Sequence, residues 1–431
     1  MAAGVDSDWA VQTMEATLES VEAQAARPDR GPVVALLVAN AISYTGNMLT
    51  ALAIPWFVLQ TTGSAARTGL VAFAQMLPLV AASFLGGALV DRVSAKRLSI
   101  AADVMSGATV AAVPLLHHTV GLAFWQLLAL VFLGALLDAP GGTAREKMLP
   151  DLVGRAGMRL ERANAATQMI QSGAALLGPP LAGILVVTLG TSNVLWLDAA
   201  TFAISATIVA AAVPAMARRA AEGRRYLDEV LDGLRFLRRD RLLSTVLVLA
   251  AILNFVATPI FSVVLPVYTK EIYDSARALG LLMGGVGAGS LGGALIFGVI
   301  GPRLPRRTTV VVMITLASLA ITALVVFPPL PAALALMIAI GLAMGTVNPL
   351  IVTVFQERIP PDLRGRVFGT VAASTLVAAP AGMLLTGAGL ETMGLRTVLF
   401  VIAGVQIAVT IALATQPALR EMDRQPDRVR S

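Results

Sequence analysis

The chain has 431 residues, 57% of them hydrophobic and only 13% charged, with a formal net charge of +6 and a mean hydropathy of +0.79. A soluble domain carries about a quarter charged residues, so this composition excludes a wetted globular surface and points to an integral membrane protein. The absence of cysteine excludes disulfides and thiolate metal sites, and the bases lie in loops between apolar runs, which argues against nucleic-acid binding.

Residues 1–32 are polar and acidic (Asp6, Asp8, Glu15, Glu19, Glu22, Asp29) and read as a solvated tail, with Val11, Met14, Leu18 and Val21 at helical spacing. Twelve apolar runs follow, each of roughly the 20 residues that span a bilayer. They lie near 33–60, 67–90, 97–117, 121–143, 164–188, 193–214, 242–269, 276–300, 308–327, 332–354, 366–390 and 395–415. Turn signals such as "TTGSAART", "FPPLP" and "GPRLPRR" separate them, and Pro55, Pro78, Pro179, Pro259 and Pro380 predict kinks within them. In the long connector "RRYLDEVLDGLRFLRRDRLL", Leu227, Val230, Leu231, Leu234 and Leu237 form one stripe, which predicts an amphipathic helix on the inner membrane surface. The expected organisation is a tail (1–32), an N-terminal six-helix half (33–214), a cytoplasmic linker (215–241), a C-terminal six-helix half (242–416) and a second tail (417–431).

All but Arg67, Lys270, Arg277 and Arg396 of the 32 bases fall in alternate connectors and the tails. The positive-inside rule places those segments, both termini included, in the cytoplasm. Trp56, Trp125, Trp196, Tyr268 and Tyr273 then form an aromatic belt at the outer interface. The chain also echoes itself at nearly one offset. Gly87 and Arg92 recur as Gly298 and Arg303, the "PDL" of 150–152 recurs at 361–363, Asn40 and Tyr44 map to Asn254 and Thr258, and Asp138 maps to Asn348. Such an echo predicts two parallel, pseudo-symmetric six-helix halves, a transporter plan.

Charge is concentrated in "GGALVDRVSAKR", residues 86–97. Its Gly87, Asp91, Arg92, Lys96 and Arg97 resemble the signature loop of the major facilitator superfamily, G-x-x-x-D-R-x-G-R-[RK], with Ser94 and Ala95 as departures. The resemblance implies a cytoplasmic gate, in which Asp91 meets the N-terminus of the eleventh helix near "RGRV" (364–367) and the bases pair with acids of their own half. "GAALLGPPLAG" (173–183) resembles the antiporter signature of that superfamily at Gly178, Pro179 and Gly183, which implies export. "NAISYTGNMLTALAIPWFVLQTTGSA", "GLVAFAQMLPLV", "LPDLV" and "ANAATQ" are similar to the branch of macrolide-efflux proteins and the enterobactin exporter. That branch often has Asp where Asn47 stands here.

Ionisable residues inside spans default to functional candidates. Asp138, near the inner end of the fourth span, is the first proton-coupling candidate and Asp103, in the third, the second; Asp198, near the outer end of the sixth, reads as structural. The expected substrate cavity is neutral and amphipathic: Asn40, Tyr44 and Asn47 on one face of the first span, Asn254, Thr258 and Phe261 opposite on the seventh, Gln168 and Gln171 on the fifth, and Met344 and Asn348 on the tenth. His117 and His118 end a span without an acidic cluster, so no metal site is expected. Gly287-Ala-Gly289-Ser-Leu-Gly292 fits G-x-G-x-x-G but lies in an apolar span, where it predicts helix packing.

The resulting expectation is an all-α, twelve-helix secondary transporter. It exports amphipathic small molecules (drug, macrolide-like or siderophore-like) across the cytoplasmic membrane in exchange for protons, as a monomer in the lipid bilayer and without a cofactor. The alternative is an importer or lipid transporter on the same fold. An intramembrane enzyme needs H-E-x-x-H, paired aspartates or a Ser–His pair in a span, and no such pattern is visible in the sequence.

Overall fold

The computed structural model describes residues 29–90, 94–215, 234–360, 363–417, 419 and 422, and their regular structure is helical. Six long helices form the first half: α1 (Gly31–Thr62), α2 (Ala65–Val90), α3 (Ala95–Thr119), α4 (Phe124–Arg155), α5 (Leu160–Leu189) and α6 (Thr191–Ala212). Six more form the second: α7 (Arg241–Ile272), α8 (Ala276–Ile300), α9 (Arg306–Ala323), α10 (Leu330–Arg358), α11 (Arg364–Met393) and α12 (Leu395–Thr415). Eleven are long and apolar enough to cross a membrane; α2, whose described side chains end at Ala81, contributes the apolar stretch Ala65–Ala81.

Each expected span becomes a helix, and one end differs substantially. The fourth span was expected to stop at 143, yet α4 continues to Arg155 through Pro140 and Pro150. Apolar spacing continues past the expected end: Ala144, Met148 and Leu152 are buried one turn apart. Met148, Leu149 and Leu152 join Val33 and Leu36 of α1 and Val209 of α6 in one core. That burial holds a helical turn whose sequence, "TAREK", reads as a solvated loop.

α7 is discontinuous in a different way. Its α-helical part ends at Pro259, residues Ile260–Val264 wind as a π-helix, and the α-helix resumes at Leu265. A π-turn takes one more residue than an α-turn and so rotates everything beyond it.

The two halves meet through α2 against α11 and α5 against α8. Glycines make these crossings close. A Cβ on Gly69 would lie 2.8 Å from the Cα of Gly387, and one on Gly183 would lie 2.7 Å from the carbonyl oxygen of Ala276. Only residues without a Cβ let backbones approach this far.

Because the helix number is even, α1 begins and α12 ends at the same end of the bundle. Away from that termini end, buried side chains of both halves merge into one core, including Leu52, Trp56, Val264, Leu279, Met337 and Leu399. At the termini end the described residues form two separate cores. Val33, Met148 and Val209 belong to the first half; Leu243, Val354 and Leu413 belong to the second. The bundle is therefore sealed at the far end by side chains of both halves.

Two expectations are corrected by this packing. Trp125 and Trp196 are exposed on the bundle surface, but Trp56 and Tyr268 are buried in the far-end core rather than placed in a belt. The Lys270 ammonium lies 5.5 Å from the Trp56 ring centroid, across the half boundary, where a cation–π contact is favourable. Leu237 is fully buried against the second half's core instead of lying on the membrane surface. Asp240 anchors that segment, accepting from the backbone N–H groups of Leu242 (2.8 Å) and Leu243 (3.0 Å) at the start of α7. Leu227, Val230 and Leu231, and the amphipathic pattern of residues 11–21, lie outside the described residues.

Candidate functional site

Four helices of the first half carry polar residues in pairs seven apart: Asn40 and Asn47 on α1, Ser99 and Ser106 on α3, Asp138 and Arg145 on α4, Asp198 and Ser205 on α6. Seven residues are two helical turns, about 10.5 Å of rise, so both members of a pair share one face. The fold gathers the pairs into two stacked layers.

The layer nearer the termini is a buried cluster around Arg145. Its Nε donates to Ser99 Oγ (3.1 Å), Nη1 to Asn40 Oδ1 (3.3 Å) and Nη2 to Ser205 Oγ (3.1 Å). Nη2 also forms an ion pair with Asp103 Oδ1. Arg145 thus ties α1, α3, α4 and α6 together with its charge compensated. Among the described residues Asp103 Oδ2 finds no hydrogen-bond partner.

The second layer surrounds a cavity of about 320 Å³ lined by α1, α2, α3, α4 and α6. Its polar lining includes Asn47, Thr50, Gln75, Ser106, Asp138 and Asp198, set among apolar side chains such as Ile54, Val113, Val131 and Phe202. Asn47 Nδ2 donates to Asp138 Oδ2 at 3.4 Å. Thr50 Oγ1 donates to Asp198 Oδ2, and Thr201 Oγ1 donates to Asp198 Oδ1 at 3.0 Å. Gly46 makes this possible, because a Cβ there would overlap Asp198 and Thr201. Both carboxylates hold neutral hydrogen-bond donors, in contrast to the Asp103–Arg145 pair below.

The residues expected to form one substrate wall are dispersed. Only Asn47 lines this cavity. Asn40 is buried in the Arg145 cluster. Tyr44 Oη accepts from Gln171 Nε2 at 2.9 Å, a link between α1 and α5. Gln168 is exposed and donates to Ser172, one turn away on its own helix. Asn254 donates back to the Ala250 carbonyl, and Phe261 packs against the far-end core from within the π-turn. Asn254 and Thr258 lie in the α-helical part of α7, and Phe261 lies at the start of the π-turn that follows. Met344 and Asn348 are exposed on α10.

The two coupling candidates separate as well. Asp103 belongs to the ion pair and not to the cavity wall, whereas Asp138 lines the cavity. Arg145, counted by its sequence among the topology-setting bases, is buried. Asp198, read as structural, lines the cavity with Asp138, so folding brings together two aspartates that are far apart in sequence. The echo at seven residues is the signal that would have found them.

Of the gate motif, Asp91 and Arg92 lie outside the described residues, and Gly87 falls in the last turns of α2. Lys96 Nζ donates to the Ala210 carbonyl at 2.7 Å, so it caps the C-terminal end of α6; a cation is favoured there by the helix dipole. Arg97 is exposed. The second motif sits at a helix crossing. A Cβ on Gly178 would lie 2.5 Å from Met48 Cβ on α1, while Pro179 and Gly183 face Gly280 on α8. In the G-x-G-x-x-G match, Gly287 abuts Ala175 and Leu176, and Gly289 abuts Ile338 and Leu342, which is helix packing. His117 stacks edge-on against Phe57, and no group of three metal-ligating side chains occurs among the described residues.

Comparison with known proteins agrees with this architecture. A family model described as Major Facilitator Superfamily matches residues 36–382, with a further match over 247–429. The multidrug efflux pump Tap of Mycobacterium tuberculosis is 34% identical over 404 residues, covering 92% of this chain and 96% of that protein. Macrolide efflux protein A of Streptococcus pyogenes is 21% identical over 389 residues, covering 89% and 95%. Among solved structures, the nucleoside transporter NupG superposes with a TM-score of 0.74 at 13% identity, covering 89% of this chain and 98% of that one. A bacterial homolog of the human lysosomal transporter Spinster superposes with a TM-score of 0.68 at 15% identity, covering 92% and 98%. At these identities the structural likeness is one of fold alone. The family match and the twelve-helix, two-half architecture establish that this multi-pass membrane protein belongs to the Major Facilitator Superfamily and is a transporter, not an enzyme.

Proposed function

We propose that the chain exports amphipathic small molecules of the drug or macrolide type from the cytoplasm in exchange for protons, with Asp138 as a coupling carboxylate. One observation carries the coupling assignment: Asp138 lines the first-half cavity and is held by neutral Asn47, while the nearby Arg145 is committed to Asp103. A carboxylate at mid-membrane costs roughly 2.5–3.5 kcal/mol on insertion scales, and one reached from a cavity can shed that cost by taking a proton. Export is supported by the names of the relatives, a multidrug efflux pump and a macrolide efflux protein.

In this reading the halves 33–214 and 242–416, joined by 215–241, rock about the crossings of α2 with α11 and α5 with α8. Pro179 and Gly183 belong to the second crossing, and Gly178 packs α5 against Met48 of α1. The bases concentrated at the termini end orient that end toward the cytoplasm of the inner membrane, and the protein works as a monomer. Asp91 and its neighbouring bases hold the termini end closed when the far end opens.

The test uses purified protein in liposomes with an imposed pH gradient and radiolabelled erythromycin as the first probe, followed by a panel of lipophilic drugs. Gradient-driven accumulation is expected for the native chain. Asp138→Asn should weaken the dependence on the gradient while erythromycin still binds. Transport indifferent to the gradient in the native chain, or an Asp138→Asn variant driven as strongly as the native chain, would overturn the coupling assignment.

A further inference from the structure

We propose that Asp198 is a second proton-exchanging carboxylate, acting with Asp138 across the same cavity, so that one transport cycle exchanges two protons. The proposal rests on the proton-coupled reading above and extends it to a residue the sequence presents as structural.

Three observations carry it. The first is position: Asp198 and Asp138 line one cavity from α6 and α4. The second is the donor set. Asp198 is held by the hydroxyls of Thr50 and Thr201, the latter also donating to the Asp198 backbone carbonyl at 2.7 Å. A threonine hydroxyl can donate to a carboxylate or turn and accept from a carboxylic acid. The same two side chains therefore serve both protonation states without rearrangement of the helices. An arginine, which only donates, cannot do this, and Arg145 is placed so as to hold Asp103 instead.

The third observation is the charge around the site. α1 presents Asn47 and Thr50, α2 presents Gln75, and α3 presents Ser106 and Thr109; all are neutral. α4 presents Asp138, the one other charged group on the cavity wall among the described residues. The Asp103–Arg145 pair lies beside this layer on its termini side, Asp103 one turn from Ser106 on α3, and is neutral as a unit. Two like carboxylates in one low-dielectric cavity repel when both are ionised, so they titrate as a coupled pair and not as independent groups. The second half offers no equivalent. Gly190 and Gly394 open α6 and α12 with matching φ of 84° and 81°, and counting from them Asp198 corresponds to Ile402, which is buried in the core. Asp138 corresponds to the neutral Asn348.

Because the native chain has no cysteine, a conformational readout is available without a known substrate. Spin labels on Thr61→Cys and Thr392→Cys, exposed near the far ends of α1 and α11, report opening of the far end in lipid nanodiscs. The open fraction is followed against pH. The parent should show a transition with a two-proton slope, Asp198→Asn and Asp138→Asn should each reduce it to a one-proton slope, and the double variant should be flat. If Asp198→Asn keeps the parent slope while Asp138→Asn loses one proton, the proposal fails and the Asp138 assignment stands. If the parent itself is indifferent to pH, both fail. Should Asp198→Asn not fold, Thr50→Val removes one hydroxyl and leaves the carboxylate; it should move the midpoint and keep the slope. An unmoved midpoint overturns the proposal.

Discussion

The two polar layers of the first half use the same four helices, the same faces and related side chains, yet they differ in what balances their charge. In the layer nearer the termini, Arg145 and Asp103 cancel each other and three neutral groups complete the guanidinium's shell. In the layer two turns away, Asp138 and Asp198 hold amide and hydroxyl donors and border a cavity. A buried carboxylate with a fixed cation has its charge balanced in place. One with neutral donors and room beside it can exchange a proton. The comparison teaches that the partner, more than the depth, separates a structural acid from a working one.

The sharpest way to break this comparison is to remove the balance. Arg145→Met leaves Asp103 buried beside three polar groups that have lost their common donor. Breaking a buried pair from one side costs about 3–5 kcal/mol, so the purified variant should melt at a much lower temperature than the native protein. Arg145→Met combined with Asp103→Leu removes both charges and should regain most of that loss, since well-packed apolar replacements of a buried pair are often neutral. A double variant as unstable as the single one would mean that the layer is held by its neutral hydrogen bonds.

The converse substitution belongs to the other layer. Asp138→Asn keeps the shape and can still accept from Asn47, so its thermal unfolding should stay close to that of the native chain while gradient-driven transport falls. Asp103→Asn, chemically the same change, should instead lower the melting temperature because it strips Arg145 of its counter-charge. Measured side by side, the pair of variants separates stability from coupling. Equal melting losses would erase the distinction between the layers.

Gly46→Ala probes the second layer through packing. The new methyl would overlap Asp198 and Thr201, and overfilling a packed site costs typically 1–3 kcal/mol. The expected result is a moderate melting loss together with a changed pH response of the spin-labelled far end. A stability loss with an unaltered pH response would indicate that Asp198 is only a packing element.

The comparison also shows what could be read from sequence. Twelve spans were legible because each is a run of apolar residues about as long as a bilayer is thick. The end of α4 was not, because "TAREK" carries the charge of a loop, and only the partner Asp103, 42 residues earlier, makes burial of Arg145 tolerable. The expected substrate wall does not gather at the first-half cavity for a related reason. Periodicity tells which residues share a face, not which neighbour that face meets, so Asn40 and Asn47 lie on one stripe yet in different layers. In α7 nothing in "TPIFSVV" announces the π-turn over Ile260–Val264 beyond the proline that precedes it. Asp198 was discounted for lying near a helix end, although α1 crosses it there with a glycine.

The smallest expected effect concerns the two ends of the bundle and pairs the gate motif with a counterpart that the motif does not predict. The resemblance assigns Asp91, in the connector after α2, to the N-terminus of α11 at the termini end. At the far end the structure shows the reverse arrangement. Glu391, near the end of α11, accepts from the hydroxyl of Ser64 (3.1 Å) and the backbone N–H of Ala66 (3.2 Å) at the start of α2. A carboxylate of one half thus sits on the positive dipole end of a helix of the other, a contact worth about 0.3–1 kcal/mol when exposed. Glu391→Gln preserves the shape but removes the charge, so the closed far end should lose population by about two- to fivefold, 1.4 kcal/mol being tenfold. Spin labels at Thr61→Cys and Thr392→Cys would read that shift directly. Raising the salt should shrink the difference between the native and variant chains, because exposed charges are screened over roughly 8–10 Å at physiological ionic strength. A variant whose far end stays as closed as the native one at low salt would show that the glycine crossings and the merged apolar core alone hold the seal.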